Sequence, residues 1–311
     1  MTAQQEPVSS RFRKVRIILN PVSGFDNHSE ETIRTLMTAY TDLKWDIHRT
    51  QGDGDAFRAT QEACAAGYDL VIASGGDGTV REVADGLLDY TVPLSILPNG
   101  TANVLSVELG FPRDAGMILA ALFSGNYDLR QIDAAKMDQK TLLLRAGIGY
   151  EAEISVGATR EAKSRYGRLA YFVTAWHKLR RLRPTRYHLT LDGVEVVRRG
   201  VTCLICNSTN IGIPNVKLVA ATDVSDGKID IILVPNLRLP QILTGAWQTL
   251  QSIFPFGKSQ TPTVLNHWQV REVTVQTKRP QMMAIDGEPY KRGKRTTVVV
   301  LPGALTVAVP R

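Results

Sequence analysis

The sequence predicts two domains of different texture, an α/β domain on a parallel sheet over residues 1–132 and an antiparallel β-rich domain over 133–295. Three observations carry this. Apolar runs alternate with helical segments in the first part, which is the pattern of βαβ units. Short strand patterns joined by Asp-Gly turns dominate after about Asp133. The length of 311 residues also exceeds what one hydrophobic core usually fills, roughly 250 to 300 residues.

The first domain opens with the strand KVRIILN. SEETIRTLMTAYTDL is then a helix, with Ile33, Leu36, Met37 and Tyr40 on one face. WDIHRT is a strand, GDAFRATQEACAAG a helix, YDLVIAS a strand, TVREVADGLLD a helix and VPLSILP a strand. GTANVLSVELG and the helix DAGMILAALFSG complete the alternation. Parallel sheets of this kind bind ligands at the carboxyl ends of their strands.

In the second domain the expected strands are KTLLLRAGIG, RYHLTLDG, EVVRRGVTCLICN, KIDIILV, REVTVQT, TTVVVLPG and ALTVAVP. Two helices interrupt them, over SRYGRLAYFVTAWHKLRRL and PQILTGAWQTLQSIF. No internal repeat or low-complexity segment is present.

Composition narrows the function classes. The chain is 43% hydrophobic and 22% charged, and no run approaches the roughly 18 apolar residues of a membrane span. The polar start MTAQQEPVSSRFRKVRI lacks the apolar core of a signal peptide, so a cytoplasmic protein is expected. Cys64, Cys203 and Cys206 make no disulfide framework. Cys203 and Cys206 form a CxxC inside an apolar strand, where packing is favoured over zinc. The five histidines lack ligand spacing.

The net charge of +7 favours an anionic partner. Between Arg160 and Arg186 nine Lys or Arg stand against the single acidic Glu161, interleaved with Tyr166, Tyr171, Phe172 and Trp176. Such a segment suits a solvated helix face or a phosphate-bearing surface. AWQTLQSIFPFGK, with Trp247, Phe254 and Phe256, reads as a packed helix or an interfacial contact. No zinc-finger, helix-turn-helix or RNP pattern supports nucleic-acid binding.

Three glycine-bearing clusters fall at strand ends: Asn20-Pro21-Val22-Ser23-Gly24, Ser74 to Thr79, and Pro98 to Asn103. Gly75, Gly76 and Gly78 are expected to turn the backbone through positive φ and let amides face phosphate oxygens. Asp77 within that loop would repel an anion unless it binds Mg2+ or accepts a proton from an acceptor hydroxyl. The loop matches neither GxGxxG nor GxxxxGK[ST], so a Rossmann dinucleotide site and a Walker loop both lack their residues.

Taken together, NPVSG, SGGDGTVREVADGL and LPNGTANVL resemble the diacylglycerol kinase catalytic-domain family, which includes bacterial lipid kinases and sphingosine kinases. AGIGYEAEIS, SRYGRLAYF, ATDVSDGKIDIILV and AIDGEPY extend the resemblance over nearly the whole chain. It implies a nucleotide-binding α/β domain, a C-terminal β-sandwich, an active site in the cleft between them, and a tail of about 296–311 returning to the first domain. It also implies transfer of the γ-phosphate of ATP to a lipid hydroxyl. Asn20, Ser23, Gly75, Gly76, Gly78, Thr79, Glu82 and Thr101 would then bind ATP. Asp77, Glu288 and Asp286 would be catalytic, with the base role open between Asp77 and Glu288. Asp226 and Asp223 resemble a structural Mg2+ site, and a plain Asp-Gly turn explains Asp226 equally well. Arg165 and Arg168 are candidates to neutralise phosphate charge. Ala102 and Arg81 depart from residues common in the family, a glycine and an asparagine.

The acceptor implied is diacylglycerol or a sphingoid or ceramide-type lipid, met by peripheral contact at the inner face of the membrane. Oligomeric state stays open, a homodimer included. Two other readings compete: an NAD kinase or phosphofructokinase relative, against which NPVSG and PNGTAN stand, and a nonenzymatic nucleotide- or lipid-binding regulator.

Overall fold

The computed structural model describes residues 12–23, 29–149, 184–210, 218–219, 222–235 and 265–311. Both helices expected in the second domain, together with Arg165 and Arg168, lie outside these residues. The chain divides into two units, one running to Ile132 and including Ala304–Arg311, the other Asp133–Gly303.

In the first unit β1 (Lys14–Leu19), α1 (Glu30–Met37), β2 (Lys44–Arg49), α2 (Asp55–Ala65), β3 (Leu70–Gly75), α3 (Asp77–Leu87), β4 (Leu94–Pro98), α4 (Val104–Leu109) and α5 (Ala115–Ser124) alternate as the sequence predicts. The strand β5 (Tyr127–Met137) follows and crosses into the second unit. Sequence reading passed over β5. The second unit continues with β6 (Lys140–Leu142), β7 (Arg145–Gly149), β8 (Thr185–Leu191), β9 (Val194–Gly200), β10 (Thr202–Cys206), β11 (Ile229–Val234), β12 (Asn266–Val270), β13 (Glu272–Ile285) and β14 (Glu288–Pro310).

The sheet of the first unit runs parallel in the order β2-β1-β3-β4, and the end of β14 lies parallel beside β4, with Val307 opposite Leu94. Every residue of β3 and β4 is buried, as befits central strands covered on both faces. The edge strand β2 is only half-buried. Local chemistry sets the helix starts. Ser29 Oγ accepts from the Thr32 amide ahead of α1, and Asp114 Oδ1 accepts from Met117 at 2.8 Å ahead of α5. The chain passes from β1 to β2 in one direction and places β3 on the other side of β1. The carboxyl ends of β1 and β3 therefore flank the topological switch point.

The second unit is an antiparallel β-sandwich. Its ladder runs β12-β11-β10-β7-β13, with β13 also pairing β8 and β14, and β8 pairing β9. Two strands expected to be continuous are broken. KTLLLRAGIG splits into β6 and β7 because the Leu143, Leu144 and Arg145 amides turn to the Asp286 carboxylate. EVVRRGVTCLICN splits into β9 and β10 at Val201, next to Gly200, where a Cβ would stand 2.7 Å from Leu233. TTVVVLPG and ALTVAVP instead fuse into the long strand β14.

Cys203 packs into the main core of this unit, with Ile148, Leu189 and Ile231, while Cys206 belongs to a separate cluster with Leu204 and Val219. Residues three apart on a strand point to opposite faces, so the pair cannot converge on one ion. Burial pushes the Cys203 thiol up to about 12, as suits a packing residue. Among the described residues no helix is long and apolar enough to cross a membrane.

Candidate functional site

The site is built where β1, β3 and β4 end. Asn20 leaves β1 with its amide donating to the Ser74 carbonyl at 2.9 Å, and Asn99 leaves β4 with its amide donating to the Gly75 carbonyl at 2.9 Å. Side chains then tie the three loops to one another. Asn20 Nδ2 donates to Thr79 Oγ1 at 3.1 Å, Asn99 Nδ2 donates to the Ser23 carbonyl at 2.9 Å, and Ser23 Oγ donates to the Asn20 carbonyl at 3.0 Å. Loops distant in sequence thus form one polar floor. Asn20, Ser23, Gly75, Gly76 and Thr79, five of the expected nucleotide-binding residues, belong to it.

The expectation about the glycines needs correction. Neither Gly75, Gly76 nor Gly78 has a positive φ, and Gly76 is extended at φ −87°, ψ −174°. Close approach is what excludes a side chain. A Cβ at Gly75 would meet Thr79 Oγ1 at 2.5 Å, and a Cβ at Gly100 would meet the Gly76 Cα at 2.6 Å. Among the described residues of these loops the left-handed one is Asn103, at φ 48°. It is held there by its own side chain, whose Oδ1 accepts from the Gly100 amide at 2.8 Å and whose Nδ2 donates to the Gly100 carbonyl at 2.7 Å. Asn99 and Asn103 were not singled out from the sequence, although an asparagine on either side of Gly100 was the available signal.

The helix α3 begins directly at Asp77, and its N-cap residue Gly76 has no side chain with which to cap it. Its opening amides stand at the end of a buried strand, a position from which helix N-termini commonly face anions. The Asp77 Oδ1 accepts from the Val104 amide at 2.7 Å, so this carboxylate also fixes the start of α4 and joins the third loop to the second. Glu82, further along α3, accepts from the Gly54 amide at 3.0 Å through Oε1. Its Oε2 is buried and accepts no hydrogen bond among the described residues. A buried acceptor without a donor is costly in the protein alone and suits a ligand that brings the donor. Thr101 is exposed on the third loop.

A cavity of about 620 Å3 lies at the other edge of this sheet, at the amino ends of β1 and β2, lined by Phe12, Tyr40, Leu43 and Phe123 among others. Parallel strands place it away from the loops described above, and it has none of their chemistry.

In the second unit Asp286 and Gly287 form the two-residue turn between β13 and β14, with φ 49° and 85° and Ile285 opposite Glu288. Asp286 Oδ1 accepts from Leu144 and Arg145 at 2.9 and 2.8 Å, and Oδ2 from Leu143 at 3.0 Å. This carboxylate anchors the turn, a role that sequence reading did not foresee. Glu288 is exposed at the start of β14.

The expected Mg2+ ligands Asp223 and Asp226 each close a local turn, with Asp223 Oδ1 accepting from the Ser225 amide and Asp226 Oδ1 from the Lys228 amide. No group of three or more His, Cys, Asp or Glu able to hold a metal forms among the described residues. The contact of Asp226 with Lys228 is that of an Asp-Gly turn. Partial desolvation pushes the Asp226 carboxyl above the usual range, and the nearby Asp230 and Asp133 carboxylates add to this. Asp133 is itself buried and accepts from Gly227 and Gly303 at 2.6 and 2.7 Å.

Fold and loops together define a two-domain protein with a glycine-led helix start at the switch point of a parallel sheet and a β-sandwich after it. Residues 14–137 match the diacylglycerol kinase catalytic domain, and residues 145–309 match the YegS C-terminal NAD kinase beta sandwich-like domain. The chain therefore belongs to the diacylglycerol kinase catalytic-domain family of lipid kinases.

Among its relatives, a protein of Pseudomonas aeruginosa described as a probable lipid kinase YegS-like is 30% identical over 85% of this chain and 84% of its own. The diacylglycerol kinase of Bacillus subtilis is 28% identical over 89% of this chain and 90% of its own. A crystal structure of a putative diacylglycerol kinase from Bacillus anthracis shares the fold, with a TM-score of 0.76 and 24% identity over 98% of both chains.

Proposed function

We propose that the chain is an ATP-dependent lipid kinase that transfers the γ-phosphate to the hydroxyl of diacylglycerol or of a sphingoid or ceramide-type lipid. The observation that carries this reading is the glycine-led start of α3, with Asp77 at its first position and the loops after β1 and β4 tied against it. Phosphoryl transfer needs mainly positioning and charge neutralisation, and these loops offer both.

In this reading the first-turn amides of α3 receive phosphate oxygens, and Glu82 Oε2 accepts a hydrogen bond from the nucleoside. Asn20, Ser23, Thr79 and Asn99 keep the floor rigid. Asp77 takes the proton of the lipid hydroxyl while the hydroxyl oxygen bonds to the γ-phosphorus. The bond from that phosphorus to the bridging oxygen breaks, and ADP leaves with its electron pair. Kinases hold Mg2+ by a carboxylate and the substrate phosphates, and Asp77 would hold it where Glu288, instead of Asp77, takes the proton. Bound there, Mg2+ would neutralise charge on the phosphates. The net charge of +7 supports peripheral contact with an anionic membrane surface, where the acceptor resides.

The deciding assay supplies labelled ATP and Mg2+ with micellar diacylglycerol, sphingosine and ceramide and with soluble NAD, for the wild type, Asp77→Asn and Glu288→Gln. Label in one lipid, lost in Asp77→Asn, supports the proposal and names the acceptor. The Glu288→Gln rate tells whether Glu288 shares the base role. Label in NAD alone, or none at all, overturns the reading.

A further inference from the structure

We propose that the cavity at the amino ends of β1 and β2 is a binding site for a single-chain anionic amphiphile, an alkyl chain carrying a carboxylate or phosphate head. It lies at the opposite edge of the sheet from the glycine-led loops, so the proposal does not rest on the kinase reading. Its volume of about 620 Å3 falls within the roughly 300–1,000 Å3 typical of small-ligand sites. It would give the chain a lipid site that takes no part in phosphoryl transfer.

Four side chains from three segments supply the apolar walls. Phe12 precedes β1, Tyr40 and Leu43 lie in the loop between α1 and β2, and Phe123 stands in the last turn of α5. That loop is fixed by its backbone, since the Leu43 amide donates to the Tyr40 carbonyl at 3.2 Å and the Lys44 amide to the Arg13 carbonyl at 2.9 Å. Tyr40 and Phe123 meet edge to face with ring centroids 4.7 Å apart, and Phe12 stacks on Tyr127 at 5.1 Å. The rings are thus held in place. Tyr40, Leu43 and Phe123 nevertheless stay only half-buried, and an alkyl chain between them would remove the remaining apolar surface from water.

The rim selects the charge. Arg13, Lys14 and Lys44 line the cavity against one carboxylate, Asp42. Lys14 is occupied, with its Nζ donating to the Ala66 carbonyl at 2.6 Å and lying over the Tyr68 ring. The Arg13 and Lys44 side chains are exposed and have no ion-pair or hydrogen-bond partner among the described residues. The Tyr40 hydroxyl likewise has none there, and desolvation pushes the phenol above its usual range, so it stays a neutral donor. Two free cations and a phenol donor beside apolar walls complement an anionic head on an alkyl chain. Residues 1–11, MTAQQEPVSSR, are a poor alternative occupant, because glutamine, serine, threonine, glutamate and arginine dominate them.

The test is calorimetric titration of the full chain with dodecanoate, dodecyl phosphate and dodecyltrimethylammonium, each below its micelle concentration. The anions are expected to bind, the tighter one naming the head, and the cation is not. Arg13→Glu and Lys44→Glu should each raise the dissociation constant of the anions roughly tenfold. Ala39→Trp places an indole in the lining and should weaken them as much. Ala39 is exposed, so the fold should tolerate the change, and an unchanged thermal midpoint checks this. Failure of both anions to bind overturns the proposal. So does cation binding as tight as theirs, or anion binding that all three substitutions leave unchanged, the result expected if the amphiphile enters the acceptor site of the proposed kinase instead.

Discussion

A Cβ placed on Gly100 would stand 2.6 Å from the Cα of Gly76, which means that the second and third loops of the site touch backbone to backbone. Gly100→Ala must therefore push the loops apart. Overpacking of this kind costs about 1–3 kcal/mol, and the thermal midpoint should fall with it. ATP affinity, read by calorimetry, should weaken at the same time. Gly52→Ala is the control, since nothing lies within 4 Å of a Cβ there, and it should leave both readouts unchanged.

Asp77 has two duties that substitution can separate. Its oxygen accepts from the Val104 amide, and in the proposed mechanism its charge handles the acceptor proton. Asp77→Asn keeps an oxygen for Val104, so stability should stay near that of the wild type while the transfer rate falls by about 100-fold or more. Asp77→Ala should lose the rate and, in addition, about 1 kcal/mol of stability measured by urea unfolding.

Asp286 is held by three amides of the segment between β6 and β7. Asp286→Ala strands those donors, at a cost of roughly 3 kcal/mol or more in urea unfolding, because hydrogen bonds to a charged acceptor are the strong ones. Asp286→Asn should fall between. An Asp286→Ala protein as stable as the wild type but inactive would make Asp286 catalytic instead of structural.

Acid stability has a marker in Asp55. The hydrogen bond with His48 holds its carboxyl below the usual range, and the Gln51 amide and Arg58 assist. A carboxylate lowered in the folded state contributes stability that is full above its unfolded pKa, about 3.9. That contribution is lost as pH falls through the lower folded value. Urea midpoints of the wild type should drop below about pH 4, and Asp55→Asn should be less stable at neutral pH and flatter across that acidic window.

The alternation of strands and helices, the change of texture near Asp133 and the three glycine clusters were all legible in the sequence. Apolar periodicity and turn composition are local properties, carried within a few residues of one another. The burial of all of β3 and β4 follows directly from apolar runs such as LVIAS and LSIL. What local reading could not supply was the reason for the glycines. It assigned them positive φ, whereas the contact between Gly76 and Gly100 joins loops 24 positions apart in the chain.

The motifs of the sequence by themselves determined the class of this protein and where its glycine-led loops lie, because residue order sets both. Only the tertiary structure decided that Asp77 secures Val104 and that Asp286 anchors a broken strand 141 to 143 positions earlier. Each of these depends on a hydrogen bond between distant segments. Such pairings are selected by the whole packed core, and no window of sequence contains both partners.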